Sequence, residues 1–269
     1  LSAPLCERLD KIEIDGVQLD VFPVQDYRFV LRLRGEGLSE FISETDPQVT
    51  AAAPLTVKPL APGATRTAAL VNEFVAQAGK FLAEEERANM VLLRGFARLP
   101  DLPPMGEVYR LNTAGIAAYP MYRGLAEVAG MKVIPTGHTF GDEVETLRRN
   151  FNNHDFFFIH YKPADAAGED GDFDAKVKCL EDLDPFIPQI KELEPDVFVV
   201  AGDHSTPAIM AAHSWHPVPF MLHSKLTRGE GVLGFNERTC AQGSVGSILA
   251  TQVMLLAMSH AGKLNKYGP

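Results

Sequence analysis

The sequence predicts an α/β protein with a mostly parallel, doubly wound sheet, preceded by a smaller α+β unit. Three observations carry this. From about Arg87 onward, short apolar runs alternate with helical stretches, the pattern that winds strands into a parallel sheet. Before that point, Arg28 to Arg34 alternates cationic and apolar residues with period two. Finally, apolar runs in the second region stop at carboxylates and imidazoles, where open α/β sheets bind ligands. The expected division is residues 1–86 and residues 87–269.

In the first unit, Val17 to Val24 alternates loosely as a strand. In the next, Phe29, Leu31 and Leu33 share one face, while Arg28, Val30, Arg32 and Arg34 share the other, and Gly35 to Gly37 break it. That is an antiparallel strand with one dry and one cationic face. Ala51 to Pro62, rich in Ala and Pro, reads as a loop. Leu70, Val71, Phe74, Val75, Ala78, Phe81 and Leu82 fall at helical spacing, and the helix ends in the acidic run Glu84 to Glu86.

In the second unit, Met90 to Leu93 predicts a short buried strand ending at Arg94 and Gly95. Thr113 to Ala129, mostly small and apolar, predicts a helix kinked at Pro120. Val133-Ile134 and Phe156 to Ile159 predict strands, the latter leading into a polar loop with Asp165. Phe173 to Leu193 predicts helix broken at Pro185 and Pro188. After the strand ending at Gly202, Thr206 and Pro207 predict an N-cap and a helix. The strand Phe220 to Leu222 follows, then a helix from about Ser247 to Ala261 with Gly262 past its end.

Composition narrows the function. Among 269 residues, 46% are hydrophobic and 22% charged, ordinary for a globular protein, and a net charge of -10 argues against nucleic acid as the main partner. Cys6, Cys179 and Cys240 are odd in number and far apart, which suits a reducing compartment and predicts a cytoplasmic protein. The apolar run Ile248 to Met258 is interrupted by Thr251 and Gln252 and is too short for a bilayer, so no membrane partner is expected. The chain opens on Leu1 without a secretory signal and reads as a mature or truncated piece.

The chemistry gathers at three places. Asp165, Glu169 and Asp170 follow the strand ending near His160; Asp203 and His204 follow Gly202; His213 and His216 precede Phe220. Carboxylates and imidazoles at neighbouring strand ends suit a two-metal phosphoryl-transfer site. Each group also has a plainer reading. Asp203 could be a helix cap and His204 a loop histidine, the acidic residues could be a solvated loop, and the two later histidines could be one packed and one exposed.

Several segments together resemble a family. Tyr27 to Ser39 and Ile42 to Pro47 are similar to the inserted domain of the archaeal-type, cofactor-independent phosphoglycerate mutases of the alkaline phosphatase superfamily. Ala88 to Gly95 resembles the re-entry into their core. Asp165 to Phe173, Ala201 to Pro207 and His213 to Pro219 resemble their metal motifs. Phe235 to Gly243 and the tail Lys266-Tyr-Gly resemble their C-terminal end.

The resemblance implies an incomplete alkaline-phosphatase-like core with a substrate-capping inserted domain at residues 1–86. It implies interconversion of 2-phosphoglycerate and 3-phosphoglycerate, a small phosphorylated three-carbon acid, through a phosphoserine and two divalent metal ions, manganese, magnesium or a related metal. By motif position Asp203 and His204 belong to one metal, and Asp165, Glu169 and His213 to the other. Arg28, Arg34, Arg94, Arg123 and Lys162 are the substrate-binding candidates, guanidinium forks being suited to phosphate and carboxylate. A solvated sheet face would show the same alternation at Arg28 and Arg34. His216 falls where the family needs no ligand.

Three departures follow. The family's nucleophilic serine, and an aspartate for the second metal, lie in a segment with no counterpart here, so no catalytic nucleophile is assigned and this chain alone is expected to be inactive. Glu169 stands where the family has histidine, which shifts metal preference toward harder ions. Arg123 stands where relatives commonly carry lysine. Two other readings use the same scaffold: a metal-dependent phosphohydrolase or phosphonate-cleaving enzyme, and a non-catalytic metal- or metabolite-binding paralogue. A homo-oligomer is compatible with all of them.

Overall fold

The computed structural model describes residues 2–24, 27–229 and 233–264, and the Lys266-Tyr-Gly tail lies outside them. The chain divides into two compact units, Leu1–Leu102 and Pro103–Pro269. The first opens with helix α1 (Ala3–Leu9), followed by strands β1 (Gln18–Pro23) and β2 (Phe29–Arg34). These pair antiparallel, with Leu19 opposite Leu33 and Val21 opposite Leu31. Phe29, Leu31 and Leu33 pack toward the core, while Arg28 and Arg34 are exposed. On the outer face Arg32 Nε donates to Asp20 Oδ2 at 3.0 Å.

The apolar stripe of α2 (Thr65–Phe81) supplies Val71, Phe74 and Ala78, all fully buried. The 51–62 segment has no regular element beyond a bridge to Ile42. It is pinned to α2 by Asn72, whose side chain accepts from Val57 N–H (2.8 Å) and donates to Val57 C=O (2.9 Å). Met90 to Leu93 is not a strand. It runs extended, with Val91 and Leu93 buried, and bonds to Thr45: Leu93 N–H donates to Thr45 Oγ1 at 2.6 Å, and Thr45 N–H donates to Leu93 C=O at 2.9 Å. Among the described residues these four apolar positions, held by one buried threonine, have no partner strand to form a ladder with.

In the second unit α3 (Met105–Tyr109) precedes β3 (Thr113–Ala117), then α4 (Pro120–Val128), β4 (Lys132–Val133), α5 (Phe140–Asn150) and β5 (Phe156–His160). The single helix expected over 113–129 is therefore a strand and a helix. β3 is buried along its whole length, so its small apolar residues show no strand alternation, and Pro120 begins α4 rather than kinking a longer helix. The three strands form a parallel sheet in the order β4-β3-β5.

Register sorts the two faces of this sheet. Ala114 and Ile116 pair with Phe157 and Ile159, and these four join Val144 and Leu147 of α5 in one apolar core. Gly115 and Ala117, paired with Phe158 and His160, point to the opposite face. There α4 lies so close that a Cβ on Gly115 would come within 2.6 Å of Ala126 Cβ. Helices on both faces make the sheet doubly wound.

The chain continues through α6 (Pro163–Glu169), α7 (Phe173–Leu183) and α8 (Phe186–Lys191) to β6 (Val197–Ala201), then β7 (Phe220–Ser224), α9 (Glu237–Cys240) and α10 (Val253–His260). Asp165 is thus helical and not in a loop. The helix expected after Pro207 is only a 3-10 turn, Ala208–Met210. β6 and β7 pair antiparallel in a two-stranded sheet of their own, beside the parallel one that was expected to dominate. Gly262, with φ +66°, sits just past the Ala261 C-cap as expected.

Candidate metal centre

The site grows from three chain segments of the second unit. On α6, Asp165 and Glu169 are four residues apart and share one face. After β6 the chain turns through Asp203, His204, Ser205 and Thr206. An antiparallel bridge between Ser205 and Ser214, with Ser214 N–H donating to Ser205 C=O at 2.8 Å, then lays the His213 loop beside it. That bridge brings the His204 and His213 rings to a centroid separation of 4.0 Å.

Asp165, His204 and His213 each offer a ligand atom, and these atoms all lie within 4.8 Å of one another. His213 Nε2 is 3.2 Å from Glu169 Oε1 and 3.8 Å from Asp165 Oδ1. His204 Nε2 is 3.6 Å from Asp203 Oδ2. Imidazole and carboxylate donors at these spacings fit a divalent cation such as zinc or manganese.

Thr206 organises the centre. Its Oγ1 donates to Asp165 Oδ1 at 2.6 Å and lies 3.0 Å from His204 Nδ1. A hydroxyl that has given its proton to a carboxylate accepts from the imidazole. The network therefore assigns N–H to His204 Nδ1 and leaves Nε2 as the ligating nitrogen. The helix cap expected at Thr206 is instead a bond to a carboxylate 41 residues away.

Charge is balanced locally. Lys162 donates to Asp165 Oδ2, and its Nζ lies 3.7 Å from Glu169 Oε2. Burial works to raise the Asp165 carboxyl, but the bonds from Lys162 and Thr206 outweigh it and hold the group below the usual aspartate range. Burial likewise works to raise Asp203, and the Tyr122 hydroxyl, donating to Oδ2 at 2.9 Å, leads the effects that bring it below that range. Both carboxylates are therefore ionised at neutral pH, as ligands must be.

Three residues here were not singled out from sequence. Tyr122, on α4 and 5% exposed, stacks on His160 at the end of β5, with 16° between the ring planes. His160 is pushed down to about 4, chiefly by burial, and is neutral. Glu143, on α5 and 2% exposed, accepts the Ala118 N–H at 2.6 Å just beyond β3, and burial pushes its carboxyl up to about 7. No short motif marks any of them, because each partner lies on another element.

The cationic candidates divide between the units. Arg28 stands over the Tyr27 ring at 5.0 Å, Arg34 ends β2, and Arg94 lies 3.6 Å from Asp46; all three belong to the first unit. Arg123 is half-buried on α4, next to Tyr122, and Lys162 is within the centre itself. His216 bonds Ser214 Oγ at 2.9 Å and stacks on the exposed Trp215.

The chain is similar to several known proteins. The probable 2,3-bisphosphoglycerate-independent phosphoglycerate mutase of Thermotoga maritima is 44% identical over 98% of this chain, which spans 65% of that protein. Its counterpart in Thermus thermophilus is 43% identical over 99% of the chain and 66% of the relative. The chain thus spans about two thirds of the length of the curated relatives it matches. Among solved structures, the cofactor-independent phosphoglycerate mutase of Thermoplasma acidophilum shares the fold. It has a TM-score of 0.65 at 23% identity, covering 96% of this chain and 69% of that one. Residues 31–260 match the family model described as the metalloenzyme superfamily, and the chain belongs to that superfamily.

Proposed function

We propose that this chain carries the metal-binding and substrate-holding parts of a phosphoglycerate mutase that interconverts 2-phosphoglycerate and 3-phosphoglycerate. The observation that carries the reading is the convergence of Asp165, His204 and His213, in a chain whose relatives bear that name. Asp165, Glu169 and His213 would hold one divalent ion, and Asp203 with His204 a second. Such ions neutralise phosphoryl oxygens and activate an oxygen nucleophile. Manganese or magnesium suits a donor set rich in carboxylates.

The residues of this chain then have separable tasks. Thr206 keeps the His204 Nδ1 proton in place and presents Nε2 to the ion. Lys162 balances Asp165 and Glu169, and turns to the transferred phosphate once those carboxylates bind metal. Arg28, Arg34, Arg94 and Arg123 would hold the substrate's carboxylate and phosphate as guanidinium forks. The phosphoserine of the reading needs a hydroxyl nucleophile that no residue of this sequence is assigned to supply. A role in glycolysis and a cytoplasmic location belong to the same reading.

The test is mutase turnover with manganese, measured in the chain and in the chain joined to the part of the Thermotoga relative that it does not match. Turnover that disappears on Asp165→Asn is expected in the joined protein. A folded joined protein that binds manganese yet converts neither phosphoglycerate would overturn the reading.

A further inference from the structure

Asp203 stands in a turn after a strand end, about half exposed, where a carboxylate has several rotamers open to it. Its position is set from another element. The Tyr122 hydroxyl donates to Asp203 Oδ2 at 2.9 Å, across 81 residues of sequence. This is the oxygen that faces His204 Nε2 at 3.6 Å. One lone pair of Oδ2 is thereby engaged, and the backbone N–H of His204 donates to Oδ1 at 3.1 Å, so both carboxylate oxygens are held.

Tyr122 is itself held. Its ring, on α4, is buried and lies flat on His160, whose place on that face of the sheet follows from the Ala117–His160 pairing. A buried tyrosine needs a partner for its hydroxyl. Here the partner is a candidate metal ligand rather than a backbone carbonyl. Tyr122 thus ties the end of β5 to the turn after β6 through one carboxylate oxygen.

We infer that Tyr122 is a positioning residue of the centre, its hydroxyl aiming Asp203 at the ion that Asp203 and His204 share. The inference rests on the proposed metal-binding reading. It reaches a residue outside the ligand set, of the kind whose loss costs metal affinity about 10- to 100-fold.

The test uses Mn2+ alone as the probe, titrated into the metal-free chain and followed by electron paramagnetic resonance and calorimetry. Tyr122→Phe, which keeps the ring on His160, is expected to weaken Mn2+ binding about tenfold. Asp203→Asn should weaken it at least as much, and the double variant no further than Asp203→Asn alone. Wild-type affinity in Tyr122→Phe, with loss only in Tyr122→Leu, would make the residue mere packing and overturn the inference. Additive losses in the double variant would do the same. Failure of the wild-type chain to bind Mn2+ would instead overturn the metal-binding reading, and this inference with it.

Discussion

Thr206 Oγ1 donates to Asp165 Oδ1 at 2.6 Å, and through that bond the turn after β6 is fastened to helix α6. Thr206 is 4% exposed, so the bond is shielded from water. Replacing it with valine keeps the shape and leaves Asp165 Oδ1 and His204 Nδ1 without the hydroxyl. A hydrogen bond to a charged group is worth about 1.5–3 kcal/mol. Thr206→Val should lose about that much stability in urea and bind Mn2+ about tenfold more weakly, while Thr206→Ser stays near wild type. Wild-type Mn2+ affinity in the valine variant would remove Thr206 from the centre.

Gly168 allows the same closeness from the other side. A Cβ there would lie 2.4 Å from the Thr206 carbonyl oxygen and 3.1 Å from Thr206 Cγ2. Backbone cannot swing aside as a long side chain can, so α6 must back away from the turn. Gly168→Ala should therefore destabilise by about 1–3 kcal/mol, the cost of overpacking, despite alanine's better helix propensity. A urea midpoint at or above that of wild type would contradict this packing.

Glu143 and His160 pull the pH dependence of stability in opposite directions. The folded Glu143 titrates near 7 against 4.5 for the free side chain, so between those values the native state binds more protons than the unfolded one. Its contribution is fully present below about 4.5 and is lost as pH rises through 7. His160 titrates near 4 against 6.5, so its contribution is present above 6.5 and is lost as pH falls through 4. In metal-free wild type the two partly cancel between pH 4.5 and 6.5. Glu143→Gln removes one of them and should gain a few kcal/mol on wild type between pH 4.5 and 7.5, at about 1.4 kcal/mol per pH unit. A stability difference independent of pH would show that Glu143 titrates normally.

Metal should stabilise the chain as well as equip it. With free Mn2+ at a hundred times its dissociation constant, binding to the native state alone adds about 2.7 kcal/mol. The melting temperature should rise with Mn2+ and fall back with chelator. Asp165→Asn and His213→Ala should lose most of that rise, because each removes a donor from the cluster. An equal rise in both variants would place the ion elsewhere.

The parts legible in the sequence share a physical cause. β2 was readable because one face is dry and the other wet, and burial wrote period two into Phe29, Leu31 and Leu33. α2 was readable for the same reason at helical spacing. β3 has the sequence look of a helix because both its faces are buried, and residues as small as Ala114 and Gly115 carry no alternation. Met90 to Leu93 has the alternation of a strand, but its hydrogen bonds go to Thr45. At the centre, the ligand-type residues at strand ends were evident, whereas Thr206 and Tyr122 were not, since their roles are set by partners 41 and 81 residues away.

By itself the sequence determined the α/β class and pointed to Asp165, Glu169, Asp203, His204 and His213 as candidate donors, and its membership of the metalloenzyme superfamily follows from the sequence alone. Only the tertiary structure decided that α6 puts Asp165 and Glu169 on one face and that the Ser205–Ser214 bridge sets His204 beside His213. It alone showed that Thr206 and Tyr122 hold the carboxylates. Periodicity and residue type record what each segment needs locally, burial or charge. Which donor meets which acceptor depends on how distant segments pack.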